Sequence, residues 1–235
     1  MHDEDILKKF KGMNTYFKKS AVLQGIILAV GIMFLSGWAS GLLAQLLDKA
    51  DQGLYKNMFF SLFLGFWSIM WIKVIKGWQY SQVGFKRLNR QQTALSILSG
   101  GGIFLLLIVL GSIYASLLPV EAEPQSLSMM AALANSWQQA AAIYLISSIL
   151  APIGEEIFFR GALYQSLQEK MGVKKALVIT SLIFAAMHFD LYRLVLLWLA
   201  GMWLNILRLK CDSIYSAMIA HSVWNTLMIS LAFFV

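Results

Sequence analysis

Long uncharged runs alternate along the chain with short segments that carry nearly all of its charge. A membrane-crossing helix needs about 20 mostly apolar residues to traverse roughly 30 Å of hydrocarbon. Ser20–Leu47 offers 28 residues without a charge, enough for one tilted helix. Met58–Ile75 is a second span, with Lys73 placed to snorkel near its end. A third lies within the uncharged Gln91–Val120 stretch and ends at Pro119. The run Pro124–Gly154 is too long for one element and polar in its first part, so a fourth span is expected to start near Trp137. Ala176–Phe189 and Leu194–Leu207 hold only 14 residues each, which suits either thin spans or a pair that dips in and returns. Ser213–Val235 closes the series. Between the fourth and fifth runs, Lys170-Met171-Gly172-Val173-Lys174-Lys175 reads as a helix stop and restart with Gly172 as the C-cap. The pattern predicts an all-α polytopic membrane protein of about seven transmembrane helices, with 1–235 as a single integral-membrane domain.

Composition sharpens this. Of 235 residues, 59% are hydrophobic and 13% charged, more apolar surface than one soluble core of this length hides. The single cysteine, Cys211, excludes an intrachain disulfide and a Cys-based zinc framework. A net charge of +7 would suit nucleic acid, but the basic residues fall between apolar spans, so the expected partner is the bilayer and not nucleic acid. With seven spans and a cytoplasmic N-terminus, 14 of the 19 Lys and Arg lie on the inner side. The positive-inside rule then places the chain in the cell membrane with its C-terminus outside. The acidic leader (Asp3, Glu4, Asp5) and the length of the first run argue against a cleavable signal peptide.

Ionisable groups inside a bilayer are costly and usually functional. His188 and His221 fall in apolar segments, and Glu155 and Glu156 sit deep in a membrane-like run, followed by Arg160. If the helices flanking Gly172 form an antiparallel hairpin, Glu156 and His188 are equally far from the turn and Glu155 is one residue further, so the three share one level. Glu156 and Arg160 are an i,i+4 pair, as are Phe184 with His188 and His221 with Asn225. Adjacent Glu155 and Glu156 diverge by about 100° around the helix axis. One can therefore pair with Arg160 while the other faces a cavity with a raised pKa. Glu155 with His188 can activate water, and His221 with Asn225 can meet an oxyanion. The inferred chemistry is hydrolysis of a carbonyl substrate within the membrane.

Glu155-Glu-Ile-Phe-Phe-Arg160, Phe184-Ala-Ala-Met-His188 and His221-Ser-Val-Trp-Asn225 stand in order as E-E-x-x-x-R, F-x-x-x-H and H-x-x-x-N. On these motifs the sequence resembles the CAAX prenyl endopeptidase and bacteriocin-processing (CPBP, Abi-type) family of intramembrane proteases. The resemblance covers 137–235, the expected catalytic core in the last four helices; 1–136 brings spans and loops without an identified motif. It implies an intramembrane endopeptidase in which Glu155 activates water shared with His188. His221 and Asn225 would form the oxyanion hole, and Glu156, Arg160 and Phe184 would support the site. The implied substrate is a prenylated CAAX-type C-terminus or a membrane-associated peptide precursor. This mechanism requires no cofactor, although two Glu and two His could also bind a divalent metal such as zinc. Oligomeric state is not legible. Two other readings stand beside this one: a non-proteolytic membrane adaptor or immunity factor of the same family, and a proton-coupled transporter, for which no inverted repeat is present.

Overall fold

A computed structural model describes residues 27–46, 52–117 and 136–234 of the chain. Seven helices appear among them. They are α1 (Ile27–Ala44), α2 (Gln52–Met70, continuing as a π turn Trp71–Ile75), α3 (Arg90–Leu117), α4 (Trp137–Met171), α5 (Val173–Ala186), α6 (Leu194–Cys211) and α7 (Ile214–Phe234). All but α5 are long and apolar enough to cross a membrane. Helices are the expected solution, because in hydrocarbon every backbone N–H and C=O must be satisfied within the segment. The ends of the expected first and third spans, including Pro119, and the acidic leader lie outside the described residues.

Local chemistry sets the boundaries. The Ser136 side chain accepts from the backbone N–H of Gln139 and caps α4, so the helix starts at Trp137. At α3, Asn89 and Gln92 exchange side-chain-to-backbone hydrogen bonds of 2.9 and 3.0 Å, a reciprocal cap. Gly172 breaks α4 from α5 at φ 80°, a conformation that a side chain would oppose. Lys73 reaches the Trp78 carbonyl and lies 4.2 Å from the centroid of the Tyr80 ring.

The loop between α2 and α3 docks on the α6–α7 turn. Ile214 N–H donates to Gly84 O, Ser213 Oγ to Lys86 O and Gln92 Nε2 to Cys211 O, and exposed Lys86 pairs with Asp212. The α4–α5 turn lies at the same end, since α5 starts there and antiparallel α6 finishes there. The basic residues expected on one side in these segments (Lys76, Lys86, Arg87, Arg90, Lys170, Lys174, Lys175, Arg208 and Lys210) thus share one end of the bundle.

The best-buried side chains, among them Leu64, Trp71, Phe158, Phe159, Tyr164, Phe184 and Leu204, lie where α2, α4, α5, α6 and α7 meet. At the α2–α4 crossing, the Gly65 side approaches the Gly154 Cα, and a Cβ on Gly154 would run into the Ser61 backbone carbonyl. This approach brings the Glu155–Glu156 segment into the centre of the bundle.

Candidate functional site

The α4 helix is not uniform. Two π segments, Ile146–Leu150 and Ile157–Leu163, bracket the Ala151–Glu156 turn that carries the two glutamates. Pro152 gives the first a physical cause. In a regular helix the Ala151 N–H would donate to Ser147 O, but here it donates to Ile146 O. Pro152 has no N–H to replace it. The orphaned Ser147 carbonyl instead accepts from Asn225 Nδ2 on α7 at 2.8 Å. Interruptions of this kind recur at functional sites.

Glu156 is fully buried, and its Oε1 accepts from two donors: Arg160 Nη1 at 2.9 Å and His221 Nδ1 at 2.8 Å. Arg160, equally buried, donates through Nη2 to Gly201 O on α6 at 3.2 Å. Of the two adjacent carboxylates, then, Glu156 is the one paired with Arg160, as the helical spacing allowed. Glu155 is half-buried, and its Oε2 is buried with no hydrogen-bond partner in the protein.

The Phe184 ring joins the three motifs. It lies edge-to-face with His188 at 4.9 Å, with His221 at 5.8 Å and with Phe159 at 5.2 Å, and the Arg160 guanidinium covers it at 4.6 Å. Such a cation–ring contact in a buried setting helps offset the desolvation of the guanidinium. Gly201 leaves the space into which Phe184 Cδ1 fits. Arg160 and Phe184 are equidistant from Gly172 and meet across the α4–α5 hairpin.

Tautomers follow from the partners. His188 Nδ1 lies 2.9 Å from Phe184 O, and a carbonyl only accepts, so Nδ1 carries the proton and Nε2 of the neutral ring is an acceptor. His188 is exposed at the end of α5 and precedes Phe189, whose φ of 51° is uncommon for an aromatic residue. His221 Nδ1–H likewise points at Glu156, with Trp224 stacked on the ring at 5.1 Å. His221 sits two turns from the start of α7, or about 10 Å along the helix from the basic end of the bundle.

Asp190 stands just beyond α5, two residues after His188. Its carboxylate accepts from the backbone N–H and the Nε of Arg193 at 2.8 and 2.6 Å. Burial pushes its carboxyl up, but those bonds and the Arg193 charge outweigh burial and hold it below the ordinary value.

Five of the seven expected residues, Glu156, Arg160, Phe184, His188 and His221, form one continuous set of contacts. Asn225 stands one turn beyond His221, and Glu155 adjoins Glu156 on the chain. Sequence reasoning passed over Ser147, Ser181, Gly201, Asn205 and Trp224. Asn205 donates to Ser181 Oγ at 2.9 Å and to Gly201 O at 3.3 Å, tying α6 to α5 beneath Phe184. An amide inside the apolar Leu194–Leu207 run is the signal the sequence holds for this contact. Among the described residues, no group of three or more His, Cys, Asp or Glu is placed to hold a metal ion.

Comparison with known proteins bears on the same segment. Residues 137–227 match the family described as Type II CAAX prenyl endopeptidase Rce1-like. The chain is 35% identical over 85 residues to "Putative membrane peptidase YdiL" of Bacillus subtilis (strain 168), a match covering 36% of this chain and 35% of that protein. It thus spans about a third of that relative's length. No solved structure matches the chain. Over residues 137–227, which carry the ordered motifs on α4, α5 and α7, this multi-pass membrane protein is thus similar to the CAAX prenyl endopeptidase family.

Proposed function

We propose that the protein is an intramembrane endopeptidase in which Glu155 is the base. The observation that carries this reading is the division of labour between adjacent carboxylates. Each keeps a buried Oε2 without a protein partner, but Glu156 spends Oε1 on Arg160 and His221, whereas the Glu155 carboxylate makes no hydrogen bond among the described residues. A structural carboxylate resembles the first, and one reserved for water and substrate resembles the second.

In this mechanism a water is held between Glu155 and the free Nε2 of His188. Glu155 takes a proton as the water oxygen attacks the scissile carbonyl. Asn225 has a second amide N–H beyond the one given to Ser147 O, and this donates to the developing oxyanion. Glu156 on Nδ1 fixes the orientation of the His221 ring, and Nε2–H of that ring would be the second donor. Collapse of the tetrahedral species breaks the C–N bond, and the proton on Glu155 passes to the leaving amine. The substrate class is a membrane-associated peptide, either a prenylated CAAX-type C-terminus or a short precursor. With the basic end of the bundle cytoplasmic, α7 runs outward and the C-terminus is outside.

The test uses purified full-length protein in detergent and a panel of fluorogenic peptides, some farnesylated at a C-terminal CAAX sequence and others amphipathic precursors. Cleavage by the wild type that disappears in Glu155→Gln is the expected result, and the cleaved peptide assigns the substrate class. Equal cleavage by both proteins would overturn Glu155 as the base. If a biological phenotype survives Glu155→Gln and His188→Ala unchanged, the protein acts as a non-proteolytic adaptor.

A further inference from the structure

Outside the catalytic region, the basic end of the bundle holds a second buried arginine whose surroundings differ from those of Arg160. Arg208, in the last turn of α6, is 5% exposed. Its guanidinium lies over the Tyr164 ring of α4 at 5.1 Å. The α2–α3 loop closes on it at Gly84, where a Cβ would lie 3.3 Å from Arg208 Nη2. Arg160 has Glu156; no carboxylate hydrogen-bonds Arg208, and the nearby Asp212 is exposed and paired with Lys86. Arg208 Nε is buried without a partner, as are the Tyr164 hydroxyl and Gln168 Oε1. Tyr164 and Gln168 are one turn apart on the same face of α4.

A buried guanidinium and a buried phenol make a pair of donors with no carboxylate hydrogen-bonded to either. Leaving such donors buried and unpaired is costly, and an oxyanion satisfies them together. We infer that Arg208 and Tyr164 form a binding site for the phosphate of an anionic phospholipid. The location selects the lipid. The cluster lies between two spanning helices at the end where exposed Arg87, Arg90 and Lys210 attract anionic headgroups, and basic pockets between helices at that membrane face hold such groups. This site does not depend on the peptidase reading.

The experiment is native mass spectrometry of the detergent-purified full chain titrated with phosphatidylglycerol or phosphatidylcholine. The wild type is expected to retain one phosphatidylglycerol in preference to phosphatidylcholine. Arg208→Gln is expected to weaken that retention about tenfold or more, the scale of a lost charged hydrogen bond. Tyr164→Phe keeps the ring under the guanidinium and removes only the hydroxyl, so it should weaken retention several-fold. It also serves as the test if Arg208→Gln fails to fold, with thermal unfolding in phosphatidylcholine as the control. Lys86→Gln should leave the single tight lipid in place. Equal retention by wild type, Arg208→Gln and Tyr164→Phe would overturn the site. Displacement of the lipid by millimolar inorganic phosphate would overturn the lipid as its occupant.

Discussion

Glu155 and Glu156 are neighbours of identical chemistry, and the structure assigns them opposite sensitivities to the same substitution. Glu156→Gln keeps the side-chain volume but removes the charge that Arg160 and His221 share. Arg160 is then left fully buried with Gly201 O as its remaining hydrogen-bond partner. Two charge-assisted hydrogen bonds of about 1.5–3 kcal/mol each are weakened, which agrees with the roughly 3–5 kcal/mol for breaking one side of a buried pair. For a chain of this size each kcal/mol moves the unfolding midpoint by about 2–4 °C. Glu156→Gln should therefore lower it by about 6–20 °C, read from tryptophan fluorescence during heating in detergent. Glu155→Gln breaks no side-chain hydrogen bond among the described residues and removes only a charge attraction to Arg160, so its midpoint should fall by no more than about 4 °C, the scale of about 1 kcal/mol. Both variants should lose peptidase activity, Glu155→Gln because the base is gone and Glu156→Gln because His221 is no longer held.

A third variant separates the charge pair from its catalytic consequence. Replacing Glu156 by Leu and Arg160 by Met together leaves no buried charge uncompensated, and such replacements are often neutral or stabilising. This double variant should unfold at a higher temperature than Glu156→Gln and remain inactive. If Glu155→Gln proves as destabilising as Glu156→Gln, the division between a structural and a reactive carboxylate is wrong, and with it the assignment of Glu155 as the base.

Three further outcomes follow from particular contacts. Gly154→Ala drives a Cβ into the Ser61 backbone carbonyl, which cannot rotate away; the α2–α4 crossing should open at a cost of about 1–3 kcal/mol, and an unchanged unfolding midpoint would refute that packing. Pro152→Ala restores an amide to α4, so the unfolding midpoint should hold or rise while kcat falls at least about tenfold as Ser147 O returns to the helix ladder and releases Asn225. Wild-type kcat in that variant would remove Pro152 from the chain of causes. For Asp190 the folded carboxyl lies below its ordinary value, so its stabilisation is complete above the unfolded carboxylate range and is lost as pH falls through the depressed folded value. Hydrogen exchange across 187–194 should therefore quicken on acidification in the wild type and lose that pH step in Asp190→Asn; the same step in both would exclude this carboxylate.

What could be read from the chain beforehand divides along a physical line. Side-chain identity and helical spacing are written in the sequence, so the helices, the Trp137 start, the Gly172 break and the Glu156–Arg160 pair were all legible. The α4–α5 hairpin was legible from Gly172, and its register brings Arg160 to Phe184, a pair the spacing had not singled out. Backbone groups carry no residue identity, and there the reading stopped. Gly201 O serves Arg160 and Asn205, and Ser147 O serves Asn225, but neither residue type announces an exposed carbonyl. The sequence did contain the cause of the second. A proline four residues before the second glutamate removes the one N–H that could have replaced Ala151 at Ser147. The consequence appears 73 residues further on, where the missing bond is made by the side chain of Asn225. Within a helix Pro152 removes a backbone donor. Its larger effect is to leave an acceptor at the level of Asn225, so that the helix defect and the amide that repairs it together fix the α4–α7 geometry on which the proposed oxyanion hole depends.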